Sequence, residues 1–593
     1  MPITKLYCGV RPCVHFFLLI VCGVFLNFNV YAQGFWLPIA ELAPNYNHGV
    51  PLLLSDGSVM ALSSSNRSDT LGDLWSKLTP NSNGDYVNGT WDTITRMKYT
   101  RLYCSSQVLM DGRVYVAGGE YGTGGGNGEV YNPITNKWTS AGPLPRGDSI
   151  WDGNSEILPG GNVLQAIVSN GSVANFIFNP TTNDYSAGPT SLGGHDESAW
   201  VKLPDNSILY VNIGSRTSER FMPALNEWIA DATLPVSLYD TFDYESGAAL
   251  LLPDGRAFFI GSPGTTAYYT PSGSTSPGSW AAGPRIPDSL GAPDAAAAMM
   301  PNGKILCAFS HVPDSSGDYP SPMQFYEFNY ITNSFTHIPS PVGGDTLKGP
   351  SYITNMLDLP DGNILLSLLG SNRYYVYVPD GVPLTEGKPI IDSIIGVSCD
   401  TYKITGELFN GISEGSAYGD DWQMATNYPL VRLVTPNKLY GNLVYYARSF
   451  NWNRTGVMTG NLRDTAIFTL PAGLPNDVYS VQVIANGISS DLYSFAPCIE
   501  TGIAQVKSGI SHRISVYPSP ATDQATVVFN AQISGSYQLK VLDVMGRVII
   551  DEYGQTGIGE NSRVLTLDGI ARGVYNIVVT EGEEVRYAKL VVE

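Results

Sequence analysis

Short apolar runs, each broken by a polar turn, recur along most of the chain. They read LLLSDGSVMAL at 52–62, QVLMDGRVYVAGG at 107–119, EILPGGNVLQAI at 156–167 and VKLPDNSILYVNI at 201–213. The series continues as ALLLPDGRAFFIG at 249–261, MMPNGKILCAF at 299–309 and LDLPDGNILLSLL at 357–369. Apolar runs of this length bounded by turn residues predict strands, and each pair predicts a hairpin. The first turn residues are Asp56, Asp111, Gly160, Asp205, Asp254, Asn302 and Asp361, spaced 45 to 59 residues apart. Asp-Gly and Asn-Gly favour a hairpin because both central residues accept positive φ. A third and a fourth strand follow each hairpin, the fourth often carrying an aromatic, as in GEVYNPITNKWTSAGP at 128–143 and FIFNPTTNDYSAGP at 176–189. Four antiparallel strands repeated about every 50 residues predict an all-β fold, a seven-bladed β-propeller over residues 33–387. The last repeat, ending near RYYVYVPDG at 373–381, lacks its aromatic fourth strand. GFWLPIAEL at 34–42 reads as that strand, which would latch the ring and remove an exposed sheet edge.

From about Lys388 the pattern changes to short alternating strands and predicts an immunoglobulin-like β-sandwich over 388–498. A linker at 499–511 leads to a second, smaller sandwich over 512–593, with alternation at Tyr537, Leu539 and Val541. At the other end, Lys5 and Arg11 precede an apolar run from Val14 to Leu26, and Val30-Tyr31-Ala32 stands before Gln33. Residues 1–32 therefore read as a secretory signal peptide, the apolar run being short for a spanning helix. No transmembrane segment is expected after its removal. Cys104, Cys307, Cys399 and Cys498 would remain, too few for a disulfide framework, with Cys399 and Cys498 bracketing the middle domain as the candidate disulfide. The 33 basic side chains against 53 acidic ones leave a net charge of −20. Nucleic acid is not expected as a partner, because phosphate binding needs a basic face. GTGGGNG at 122–128 lacks the Lys-Ser/Thr of a phosphate loop, and neither a nucleophile elbow nor a His-Glu-x-x-His helix is present.

The Gly-Gly pair and the Tyr…Trp pattern of the repeats resemble the kelch repeat; Glu120, Trp138 and Trp228 read as parts of that framework. Tyr517-Pro518-Ser519-Pro520-Ala521, Gly546-Arg547, Gly573-Val574-Tyr575 and the closing Lys589-Leu590-Val591-Val592 resemble the C-terminal sorting domain of the type IX secretion system. That resemblance implies a Bacteroidetes bacterium, the type IX machinery as partner, and passage across the outer membrane to an extracellular or surface-attached state. Arg101-Leu102-Tyr103-Cys104-Ser105-Ser106, followed by MDGRVYVAGGEY, resembles the galactose oxidase and glyoxal oxidase group of copper radical enzymes. These are seven-bladed kelch propellers followed by an immunoglobulin-like (E-set/TIG) domain. In that family a Tyr eight residues before the turn Asp is the copper-ligating radical, and Tyr103 holds its place. Tyr121 stands where the family has a stacking Trp, and Tyr352 aligns with the axial Tyr. The surroundings depart from the family. Ile353 follows Tyr352 in place of a ligand His, and His48 falls at or near the position of the crosslinking Cys. YYARSFNWNRTG at 445–456 offers Phe450 and Asn451 but no His. Imidazole is a ligand copper favours, so the resemblance implies the fold while the departures argue against copper radical activity; no cofactor is expected.

In each repeat the residue eight positions before the turn begins the innermost strand, so seven such residues circle one mouth of the ring. They are His48, Tyr103, Asp152, Glu197, Ser246, Asp294 and Ile353. Crowded carboxylates there should raise one another's pKa, as a general acid or a cation site requires. Aromatic faces beside hydrogen-bonding acids would also suit a sugar. The candidate ligand-binding residues are Tyr103, Tyr121, Trp151, His195, Tyr244, Glu245, Asp294 and Tyr352. The candidates for catalysis are Tyr103, His48, Asp152 and Glu197. His48 and His195 with Asp152 or Glu197 carry no metal-ligand spacing, so no metal site is assigned. Three functions fit: a secreted or cell-surface protein that binds a glycan or another surface protein, a carbohydrate-active hydrolase or lyase, and a copper radical oxidase with rearranged ligands.

Overall fold

The computed structural model describes residues 33–65, 71–145, 147–242, 244–413, 427–437, 441–475, 477–497, 514–531, 534–543, 546–582 and 584–593. The expected signal peptide, the linker and Cys498 lie outside the described residues, as does the side chain of His48. Among the described residues the regular structure is strands and four short 3₁₀ turns, with no α-helix, and no helix is long and apolar enough to cross a membrane.

Seven antiparallel sheets follow one another, with innermost strands Tyr46–Leu53, Ser105–Val108, Ser155–Ile157, Val201–Lys202, Ala249–Leu251, Ala297–Met299 and Thr354–Asp358, here blades 1 to 7. Each has four strands, and blade 6 carries an additional short one, Leu290–Gly291. The innermost strands of blades 5 and 6 are buried along their whole length and are wholly apolar; those of blades 2 and 3 are equally buried but carry polar residues, Ser105, Ser106 and Gln107 in one and Ser155 and Glu156 in the other.

The hairpins differ from the expectation in one respect. Only the residue after the Asp holds a left-handed φ in most repeats, as at Gly57, Gly112, Asn206, Gly255, Gly303 and Gly362; blade 3 alone has two, Gly160 and Gly161. The N–H of Gly57 donates to the Leu54 carbonyl and that of Leu54 to the Ser58 carbonyl, and the six other hairpins repeat this pair of bonds. This is a tight turn closed by one left-handed residue. The Asp contributes through its side chain: Asp56 accepts from the Ser58 N–H at 3.0 Å, Asp111 from Arg113 at 3.0 Å and Asp205 from Ser207 at 3.0 Å.

The ring closes on its own N-terminus. Phe35–Pro38 pairs antiparallel with Tyr375–Val378 as the outer strand of blade 7, Phe35 opposite Val378 and Pro38 opposite Tyr375. Trp36 seats the strand. Its ring lies 5.2 Å from Phe325 and 4.8 Å from Tyr377, and its Nε1 donates to the Pro339 carbonyl at 2.9 Å.

The strands from Ile390–Gly396 to Tyr493–Phe495 form an eight-stranded antiparallel sheet. The ten-residue strand Gly441–Phe450 runs through both of its halves, and Tyr402 from one half meets Phe495 from the other at 4.9 Å. Cys399 is disulfide-bonded, whereas Cys104 and Cys307 are buried thiols outside any disulfide. This domain belongs to the same compact unit as the blades and docks under their hairpins. Ser449 N–H donates to Ser55 O at 3.1 Å and Asn451 N–H to Met110 O at 2.5 Å. Lys202, buried and paired with Glu156 at 2.6 Å, donates to Thr455 O at 3.2 Å.

The last compact unit, from Ile499 onward, has a three-stranded and a four-stranded sheet. Val527 and Phe529 of one and Leu539, Val541, Ile577 and Leu590 of the other share one core. Tyr537, Leu539 and Val541 all turn to that core, the face that period-2 alternation assigns them.

Candidate functional site

The hairpins lie at one end of the innermost strands; at the other end the chain enters those strands through an unusual backbone. Tyr103, Glu197 and Asp294 hold the same place in blades 2, 4 and 6, with φ of 50°, 48° and 48°. Their neighbours Trp151 and Tyr244 have φ of 54° and 65°. Left-handed backbone costs a side-chain-bearing residue of order 1–3 kcal/mol and concentrates at functional sites. Here it recurs just before the innermost strands of blades 2 to 6. The Asp294 N–H also donates to Ser246 O at 2.7 Å, tying blade 6 to blade 5.

A second device holds Tyr103. Arg101, fully buried, pairs with Glu129 at 3.0 Å and donates to the carbonyls of Asn127 (2.9 Å) and Gly118. Glu129 also accepts the Lys98 N–H at 2.8 Å. The Gly-Gly pair completes the joint. Gly118 and Gly119 have φ of 76° and 117°, and the Gly119 N–H donates to Trp151 O at 2.6 Å. A Cβ on Gly118 would collide with that carbonyl. Close approach of blade 2 to blade 3 thus depends on glycine. It carries Glu120, whose N–H donates to Tyr103 O at 3.1 Å, and Tyr121 to the rim.

These elements enclose a cavity of about 940 Å³. Five tyrosines line it: Tyr103, Tyr121, Tyr244, Tyr319 and Tyr352. So do five acids: Glu120, Asp196, Glu197, Glu245 and Asp294. No lysine, arginine or histidine is among its described lining residues. The carboxylates form two triads that share Glu197. Asp152, Asp196 and Glu197 bring oxygens within 4.8 Å of one another, and so do Glu197, Glu245 and Asp294. Burial raises the Asp196 pKa. Tyr319 Oη donates to Glu245 Oε1 while its ring meets Tyr352 edge-on at 4.8 Å. Tyr103 and Tyr121 meet edge-on at 6.2 Å.

Tyr103, Tyr121, Glu197, Tyr244, Glu245, Asp294 and Tyr352 are therefore brought together in one cavity, with Asp152 buried beside Asp196 and Glu197. Four expected residues with described side chains are not: Ser246 is buried outside the lining, Ile353 packs against the apolar core, and His195 and Trp151 lie elsewhere. His195 is fully buried in an aromatic cage of Tyr210 (4.5 Å), Trp228 (5.0 Å) and Trp200 (5.3 Å), with Asn175 Nδ2 at 3.3 Å from its Nε2. Burial pushes its pKa down to about 3, so it is a neutral core residue. Trp151 is exposed and is not among the cavity's lining residues; its carbonyl accepts the Gly119 N–H. Glu120, expected as framework, is on the cavity wall, whereas Trp138 and Trp228 pack as framework against Tyr131 and Phe221. Tyr319 was not anticipated. It comes from the long excursion between Ile305–His311 and Gln324–Asn329 of blade 6, and the length of that excursion was the available signal.

Comparison with known proteins gives two family matches. Residues 101–145, the segment carrying Arg101, Tyr103 and the Gly-Gly pair, match the kelch motif. Residues 515–593 match the secretion system C-terminal sorting domain. No curated protein matches the chain. Among solved structures it is similar to a fungal alcohol oxidase described as having catalytic diversity among the AA5 family, in complex with copper. The identity is 14% and the TM-score 0.47, covering 79% of this chain and 100% of that one. YCF48 from Cyanidioschyzon merolae is similar at 9% identity and a TM-score of 0.36, covering 58% of this chain and 98% of that one. The chain is thus a kelch-type propeller with a type IX sorting domain. That domain engages the secretion machinery and directs export to the cell surface or the extracellular space.

Proposed function

We propose that this exported protein binds a glycan at the mouth of its propeller. The observation that supports the reading is the lining of the 940 Å³ cavity, which combines five tyrosines with five acids. Tyrosine rings offer apolar faces to the C–H face of a sugar, and carboxylates accept its hydroxyl donors. Copper chemistry fits this lining poorly. Tyr103 and Tyr352 share the cavity, but Ile353 follows Tyr352 where an imidazole would be needed, no histidine is among the described lining residues, and the described donors are all oxygens. Such a set suits hard cations better than copper. A hydrolytic reading has one observation in its favour: the triad oxygens lie within 4.8 Å of one another, close to the ~5 Å separation of carboxyl groups in retaining glycosidases.

A glycan and polysaccharide screen of the mature chain, read for both binding and new reducing ends, tests the two readings. Binding that falls at least tenfold in Tyr244→Ala and in Glu197→Gln supports the mouth as the site; binding indifferent to both places it elsewhere. New reducing ends that disappear in Glu197→Gln would make the protein a hydrolase.

A further inference from the structure

Blade 6 reaches the mouth through one long connection, residues 312–323, between Ile305–His311 and Gln324–Asn329. Both of its ends are fastened to the blade. His311 pairs with Leu290, and Met323 and Leu347 exchange N–H···O bonds of 2.9 Å each. Between these anchors Asp314 and Gly317 close a turn of their own, each N–H donating to the other's carbonyl, at 3.3 and 3.1 Å. Asp314, Ser315, Ser316 and Asp318 are exposed, so this stretch buries little apolar surface, the mark of a segment that opens locally at small cost. Its tip is fastened to the neighbouring blades. Tyr319 Oη donates to the buried Glu245, just before the innermost strand of blade 5. The Tyr319 ring meets Tyr352, in the turn before blade 7, edge-on at 4.8 Å. All three side chains line the cavity.

We infer that this connection is a lid on the mouth and that Tyr319 is its latch, the residue that decides what enters. On the reading of the mouth as a glycan site, on which this rests, entry exchanges one hydroxyl for another. The phenol leaves Glu245 for water, and a sugar hydroxyl donates in its place. An occupant without a hydroxyl displaces the phenol and returns no donor to a buried carboxyl, which is a costly loss. The latch therefore favours polyols over apolar ligands. It also holds affinity below that of the open mouth, because every ligand must first break the bond between Tyr319 and Glu245.

Two variants of the mature full-length protein test this, with melting temperatures to confirm folding: Tyr319→Phe keeps the ring without its hydroxyl, and Tyr319→Gly removes the tip. Hydroxyl-radical footprinting without ligand reads the lid. Labelling of Tyr103 and Tyr352 should rise roughly threefold in both variants, and amides of 312–322 should exchange roughly tenfold faster while those of Ile305–His311 do not change. Labelling at the parent level would overturn the lid. Calorimetric titration with neutral β-1,4-linked hexasaccharides of glucose, mannose and xylose reads the latch. An oligosaccharide that binds the parent should bind Tyr319→Phe about threefold or more tighter. Equal or weaker binding would overturn the latch, since Tyr319 would then be an ordinary contact of the bound sugar. If these probes and the wider glycan screen are blank for parent and variants alike, the glycan reading falls, and the footprinting still decides the lid.

Discussion

Replacing Trp36 by alanine removes the anchor of the strand that closes the ring. Trp36 is half buried in the latch strand, so roughly half the 3–5 kcal/mol typical of a core Trp→Ala change applies, about 2 kcal/mol. The two ring contacts with Phe325 and Tyr377 and the hydrogen bond to Pro339 bring the total to about 3 kcal/mol. The propeller and its docked domain form one compact unit of about 460 residues, whose unfolding entropy is about 1 kcal/mol per kelvin. Differential scanning calorimetry should therefore show the larger transition lowered by about 3 °C. Hydrogen exchange supplies a local readout, since the amides of Tyr375–Val378 should lose protection before those of blades 2 to 5. A melting temperature within 1 °C of the parent, together with unchanged protection on Tyr375–Val378, would refute the latch.

Further outcomes are expected elsewhere. Between pH 6.5 and about 3 the unfolded chain protonates His195 while the folded chain does not. Stability is thus lost as pH falls through that window, by up to about 1.4 kcal/mol per pH unit; urea titrations of His195→Phe should show a shallower slope, and an identical slope would mean the ring is not buried as described. Asp358 is the opposite case, a carboxyl whose pKa burial raises well above the usual value, so its folded form resists ionisation as pH rises above about 4. Asp358→Asn should raise the melting temperature at pH 7, and a lower one counts against the desolvation argument. Glu197→Gly relieves a left-handed backbone and should stabilise the fold by about 1 kcal/mol while weakening glycan binding tenfold or more; a loss of both would separate strain from function. Arg101→Met leaves Glu129 buried without its cation and should cost about 3–5 kcal/mol, with Arg101→Met/Glu129→Leu recovering most of it in the same melt.

The architecture was legible because its signals are local. Seven Asp-Gly-type turns lie between apolar runs, and a repeat short of one strand is matched by a spare strand at the other end. The error about the turns was one of mechanism: the apolar flanks located each hairpin, while the side-chain acceptor role of Asp56 and its equivalents leaves no trace in periodicity. The mouth was legible to the extent that innermost strands start at a fixed offset from each turn, which located Tyr103, Glu197 and Asp294. It failed at His195, one residue from an inward-facing Asp196. A single step along the chain there moves a side chain from the cavity to an aromatic core assembled by Trp200, Tyr210 and Trp228. Tyr319 escaped because a loop tip far from any turn has no register to count from.

The docking of the second domain beneath the hairpins has a consequence for traffic through the ring. Ser449, Asn451 and Thr455 meet the undersides of blades 1, 2 and 4, so among the described residues the docked domain covers part of the hairpin end, while the tyrosine-lined end carries the cavity. On the glycan reading proposed above, a ring covered in this way would favour the ends and short branches of a polymer over its middle, so that the number of ends rather than the mass of polymer would set how much protein a surface holds.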